Sequence, residues 1–102
     1  MNNLKLVITE DVYSDMDIIS GYIGKDDVNA AKNFIKDLFG IFDTLVKFPN
    51  IGVHKRGIKD KNVKIYIHKK RYLVVYKVGK DHLVILKVSN SYTDIYNILA
   101  YL

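Results

Sequence analysis

Tyr72-Leu73-Val74-Val75-Tyr76-Lys77-Val78, then Gly79-Lys80-Asp81, then His82-Leu83-Val84-Ile85-Leu86-Lys87-Val88, is the stretch whose reading decides the fold. Tyrosine, valine and leucine dominate the first run, and β-branched and aromatic side chains fit a pleated, covered surface, so this run predicts a central strand. A glycine-containing triplet is long enough only to reverse the chain, so the second apolar run predicts an antiparallel neighbour. Working backward, Val63, Ile65 and Ile67 alternate with Lys64, Tyr66 and His68, the period of a strand with one polar face. Lys69-Lys70-Arg71 between the two runs predicts a turn.

The first half has a different period. Leu4, Leu6 and Ile8 predict one short strand. Thr9 can cap a helix whose first turn holds Glu10 and Asp11, and Val12, Met16, Ile19 and Ile23 then mark one apolar stripe ending near Gly24. Asp26 or Asp27 can cap a longer helix with Val28, Ala31, Ile35, Leu38, Phe42 and Leu45 inward, widened by Phe34, Phe39 and Val46. Pro49 cannot continue it, and Asn50 and Gly52 form turns. After the strands, Ser91 with Asp94 makes a loose capping box, and Ile95, Ile98, Leu99 and Leu102 predict a terminal helix. The order is β-α-α-β-β-β-α. Two amphipathic helices and one sheet have only each other to bury against, so the expected class is α+β, a helical hairpin on one face of a small, mainly antiparallel sheet.

The 102 residues fit a single domain, 1–102. A hydrophobic share of 49% and a charged share of 26% place the chain among globular proteins. With no cysteine there is no disulfide framework, no thiolate nucleophile and no cysteine zinc site. Three scattered histidines predict no metal, and no cofactor motif appears. The absence of a leader pattern or a long apolar run predicts a soluble, cytoplasmic protein without a membrane partner.

The net charge of +5 is unevenly divided. Residues 1–50 hold five lysines against eight acids, a net of −3, whereas residues 51–102 hold eleven basic residues against three acids, a net of +8. Local fields rather than totals attract partners, so a polyanion should dock between Lys55 and Lys80. A generic basic nucleic-acid-binding module fits that distribution too.

Ala31 to Phe34, Leu45 to Phe48-Pro49 with Gly52 soon after, Lys64-Ile65-Tyr66-Ile67, the two apolar runs quoted first, and Asp94 before a terminal leucine together form a pattern over nearly the whole chain. It resembles the RelE/ParE superfamily of bacterial type II toxins, and the Phe-Pro-x-x-Gly step resembles the ParE branch in particular. The resemblance implies a toxin that arrests its own cell and is held inactive by a cognate antitoxin. Members similar to RelE cut messenger RNA on the ribosome, and members similar to ParE block DNA gyrase. The shared fold does not choose between them. A toxin-fold protein that has lost activity and only binds its antitoxin is the further alternative.

Metal-free RNA cleavage needs a base for the 2′-hydroxyl, cations around the phosphate and an acid for the leaving oxygen. By the resemblance, Lys64 and His68 fall on basic positions and Tyr96 on a C-terminal tyrosine, with Arg71 as a permanently charged phosphate fork. Tyr66 stands where a second lysine is expected, Leu73 where a phosphate-holding arginine is expected, and Tyr92-Thr93 where arginine is usual. Tyr66 could instead stack on a base, as aromatics among cations do in RNA binders, or simply pack the sheet. Lys55, Arg56, Lys69 and Lys70 would extend the field. The expected working surface is the sheet face opposite the hairpin, framed by Lys64, His68, Arg71 and the segment 89–96. An acidic, partly disordered antitoxin would cover part of it.

Overall fold

The computed structural model describes residues 4–69 and 71–89. Its elements are β1 (Lys5–Ile8), α1 (Glu10–Gly24), α2 (Val28–Lys47), β2 (Val63–His68), β3 (Tyr72–Val78) and β4 (His82–Ser89). The expected terminal helix lies outside the described residues. No described helix is long and apolar enough to cross a membrane.

Local chemistry sets the helix ends. Thr9 Oγ1 accepts the N–H of Val12 at 3.4 Å, and Glu10 and Asp11 sit at the positive end of the α1 dipole. Of the two candidate caps for α2, Asp27 is the one used: its carboxylate accepts the N–H of Ala30 at 3.0 Å. At the other end the N–H of Phe48 still reaches the carbonyl of Thr44 at 2.8 Å, and Pro49 stops the helix there.

The sheet order is β1-β4-β3-β2, with β1 parallel to β4 and the other pairs antiparallel. The two apolar runs thus occupy the two inner positions. The register shifts between Val75, which faces Lys87, and Tyr76, which faces Ile85, so Leu86 is the extra residue of a bulge in β4.

The helical hairpin covers one face. Val12, Met16, Phe34, Leu38, Ile41, Phe42 and Leu45 pack there against Val74, Tyr76, Leu83, Ile85 and Val88. The buried stripe of α2 includes Ile41, whereas Val28 and Phe39 are exposed, a correction to the inward set expected from spacing. The buried stripe of α2 starts at Phe34.

The opposite face is not open. Val63, Ile65, Leu73 and Val75 form a second buried cluster with Ile58, supplied by the connection between α2 and β2. The turn that returns Ile58 to the sheet bonds its N–H to the carbonyl of Lys55 at 3.2 Å and uses Gly57 at φ +100, a left-handed conformation that glycine adopts without strain. Asp60 ties this connection to the sheet: its carboxylate meets Lys77 Nζ at 2.7 Å and accepts the N–H of Asn62 at 2.9 Å. Those two contacts, the Lys77 ammonium first, hold the Asp60 carboxyl below the ordinary carboxylate value.

Candidate functional site

β2 is the edge strand beside β3, and its pairing fixes which way its side chains point. Lys64 lies opposite Tyr76, Tyr66 opposite Val74 and His68 opposite Tyr72, and these β3 partners all belong to the hairpin-side core. Lys64, Tyr66 and His68 therefore project on the hairpin side, a correction to the expectation that Lys64 and His68 frame the other face. The apolar alternates Val63 and Ile65 face Ile58 instead.

Because β2 lies at the rim, its hairpin-side residues are only partly covered by α2. Tyr66 and His68 form one wall of a cleft whose other wall comes from Lys36, Asp37, Gly40, Ile41 and Thr44 of α2. Gly40 keeps that wall low, and Thr44 turns its hydroxyl back to the Gly40 carbonyl at 3.0 Å. Along the β2 wall, Tyr66 Oη lies 3.4 Å from His68 Nδ1, and the His68 ring runs parallel to that of Tyr72 at a centroid distance of 6.4 Å. Tyr72 in turn contacts Phe34 at 5.2 Å. His68 is thus fixed by an aromatic stack that continues into the core, and it can exchange a hydrogen bond with the Tyr66 phenol.

The remaining expected residues are more scattered. Arg71 is exposed at the β2–β3 turn, where its N–H reaches the His68 carbonyl at 3.0 Å. Lys69 is exposed in the same turn with φ 54. Lys55 and Arg56 are exposed on the connection that carries Ile58. Lys70, Tyr96, and the positions 92 and 93 lie outside the described residues. The structure brings Tyr66 and His68 into contact and sets Lys64 on the same face. Leu73, at the position where the resemblance calls for a phosphate-holding arginine, is fully buried on the other side of the sheet.

Two features escaped sequence reasoning. The first is a latch on β4: Asp15 of α1 meets Lys87 Nζ at 2.7 Å and accepts the N–H of Val88 at 3.2 Å. β1 ends opposite Ile85, and Asp15 engages β4 beyond that point. The second is the exposed apolar step formed by Phe48, Ile51 and Val53 after α2. Phe48 was visible as part of a motif, but its exposure was not.

Tyr76 holds that step. Its hydroxyl donates to the Pro49 carbonyl at 2.7 Å and accepts the N–H of Gly52 at 2.9 Å. A Cβ on Gly52 would collide with the Tyr76 ring and hydroxyl, which gives the glycine of the Phe-Pro-x-x-Gly step its physical reason. Burial pushes the Tyr76 phenol above its ordinary value, offset in part by the Gly52 N–H.

Comparison with known proteins completes the picture. Residues 6–94 match the profile of the family described as "ParE toxin of type II toxin-antitoxin system, parDE". Among solved structures, the chain is similar to one from the chromosomal ParDE toxin-antitoxin system of P. aeruginosa, with 18% identity, a TM-score of 0.69, and coverage of 87% of this chain and 97% of that one. A conserved hypothetical protein from Helicobacter pylori, HP0894, has a TM-score of 0.46 at 19% identity, covering 90% of this chain and 98% of that one. No curated protein sequence matches. The two-helix hairpin on a four-stranded mixed sheet is the fold of the P. aeruginosa structure, and the profile spans most of the sequence: the chain belongs to the ParE toxin family of type II toxin-antitoxin systems.

Proposed function

We propose that the protein is the toxin of a type II pair, neutralised by an acidic antitoxin, and that it arrests growth by binding and blocking DNA gyrase rather than by cutting messenger RNA. The observation that carries the choice is the opposition of Lys64 and Leu73. A phosphate clamp needs its cations to converge on one group, and these two positions project from opposite faces of the sheet, Leu73 fully buried. Replacing that leucine by a cation would place a charge in an apolar cluster, at a cost no surface contact offsets. Blocking a macromolecular target needs only a complementary surface, and the basic second half supplies the field for it.

Brief expression, followed by mapping of messenger RNA ends and of gyrase-linked DNA breaks, tests the reading. Intact transcripts with induced breaks are expected. Ribosome-dependent cuts that disappear in Lys64→Ala would establish RNA cleavage instead, and unaffected growth with neither lesion would leave only antitoxin binding.

A further inference from the structure

Phe48, Ile51 and Val53 expose 60%, 42% and 57% of their surfaces, although all three belong to one short turn. Isolated exposed apolar residues are ordinary; three in six residues, one of them aromatic, are the composition of a contact site. The turn is also rigid. The N–H of Ile51 bonds to the Phe48 carbonyl at 3.2 Å, Tyr76 holds both Pro49 and Gly52, and Val53 exchanges two hydrogen bonds of 2.8 Å with Ile65 at the outer edge of β2. His54 Nδ1 lies 2.9 Å from the Val63 carbonyl, extending that attachment. Ile67, 39% exposed, continues the apolar surface along β2, on the face shared by Val53 and Ile65. A surface already held in place loses little entropy when a partner docks.

Charge says what the partner is. Within residues 47–61 stand Lys47, Lys55, Arg56, Lys59 and Lys61 against one acid, Asp60, whose carboxylate is already paired with Lys77. An apolar step inside a cationic rim complements an acidic chain that carries a few apolar side chains, and repels a basic one. A nucleic acid would meet the cations but leave the aliphatic side chains of Ile51 and Val53 without partners, because bases stack on aromatic faces.

We infer that the Phe48–Ile51–Val53 step and its basic rim form the docking surface for an acidic, apolar-bearing polypeptide segment, that of the antitoxin. This deepens the toxin reading and rests on it. None of Phe48, Ile51 and Val53 lines the cleft between α2 and β2.

The test titrates isotope-labelled protein with a short synthetic peptide rich in glutamate, with two leucines and a phenylalanine at helical spacing, and scores growth arrest in parallel. Chemical-shift changes should concentrate at residues 48–56 and 67. Affinity should fall at least tenfold in Phe48→Ser, in Lys55→Glu with Arg56→Glu, and for a control peptide with serines in place of its apolar residues. Melting curves check that the variants fold, and Val53→Ser, which keeps the backbone pairing with Ile65, serves if Phe48→Ser does not. Equal binding of the serine peptide, shifts confined to other residues, or displacement of the peptide from residues 48–56 by a single-stranded oligonucleotide at lower concentration would overturn the docking step. Growth arrest without peptide binding would sink the step and spare the toxin reading. Peptide binding without arrest would do the reverse.

Discussion

The phenol of Tyr76 fills the space that a side chain at Gly52 would need, and its hydroxyl takes the Gly52 N–H at 2.9 Å while donating to Pro49. Two substitutions should separate space from bonding. Gly52→Ala forces the ring aside and should cost about 1–3 kcal/mol, the usual range for overpacking. Tyr76→Phe keeps the ring but strands a buried N–H and a carbonyl, again about 1–3 kcal/mol. Chemical denaturation of each variant gives the values. The double variant should lose less than the sum, because removing the hydroxyl also removes part of the collision.

Alkali should find the same phenol. Its folded value lies above the ordinary value of 10.0, so at high pH the unfolded chain releases this proton more readily than the folded one. Stability from this group is complete below about pH 10 and is lost as the pH rises toward the folded value. Denaturation midpoints measured across that window should fall more steeply for the wild type than for Tyr76→Phe, which has no proton there to release.

The α1–β4 latch should be asymmetric. Asp15 accepts from both Lys87 and the Val88 N–H, and its side chain is only 13% exposed, whereas that of Lys87 is 42% exposed. Asp15→Ala should therefore cost about 1–3 kcal/mol, as for hydrogen bonds whose loss leaves a buried partner. Lys87→Ala should cost less than about 1 kcal/mol. A double-mutant cycle on thermal unfolding measures the coupling, which should shrink as salt is raised.

Leu73→Arg tests the mechanism through the fold. If the position could host a phosphate clamp, the arginine would add RNA cleavage to a folded protein. The expected outcome is loss of folded protein, by more than about 4 kcal/mol, because an unpaired guanidinium would be confined among Val63, Ile65, Val75 and Ile58. Circular dichroism and soluble yield report it.

Much of the fold can be read from local chemistry. Thr9 and Asp27 announce α1 and α2, Pro49 ends the second, and the density of Tyr72–Val78 marks an inner strand because both its faces are buried. The alternation of β2 is equally visible, but periodicity separates two faces without saying what covers each. It is natural to send Val63 and Ile65 toward the hairpin. Ile58 reverses that assignment, since this one buried isoleucine of the α2–β2 connection, among Lys55, Arg56, Lys59 and Lys61, supplies a second apolar cover. Lys64, Tyr66 and His68 then take the hairpin side, where the rim position of β2 leaves them partly open. The cleft they share with α2 could not be foreseen, because Gly40 and Thr44 become its wall only through tertiary placement.

The parallel pairing of β1 with β4 has a consequence for biosynthesis. Leu6 meets Leu83 and Ile8 meets Ile85, so the first strand made waits for the last described one, which enters the sheet between β1 and β3. Such pairings close long loops and form late. A nascent chain that has reached only β3 has its two helices but lacks the plank that joins both halves of their floor. Translation thus leaves the sheet in two unjoined parts until β4 is made, so the working fold is completed only when the last described strand has been synthesised.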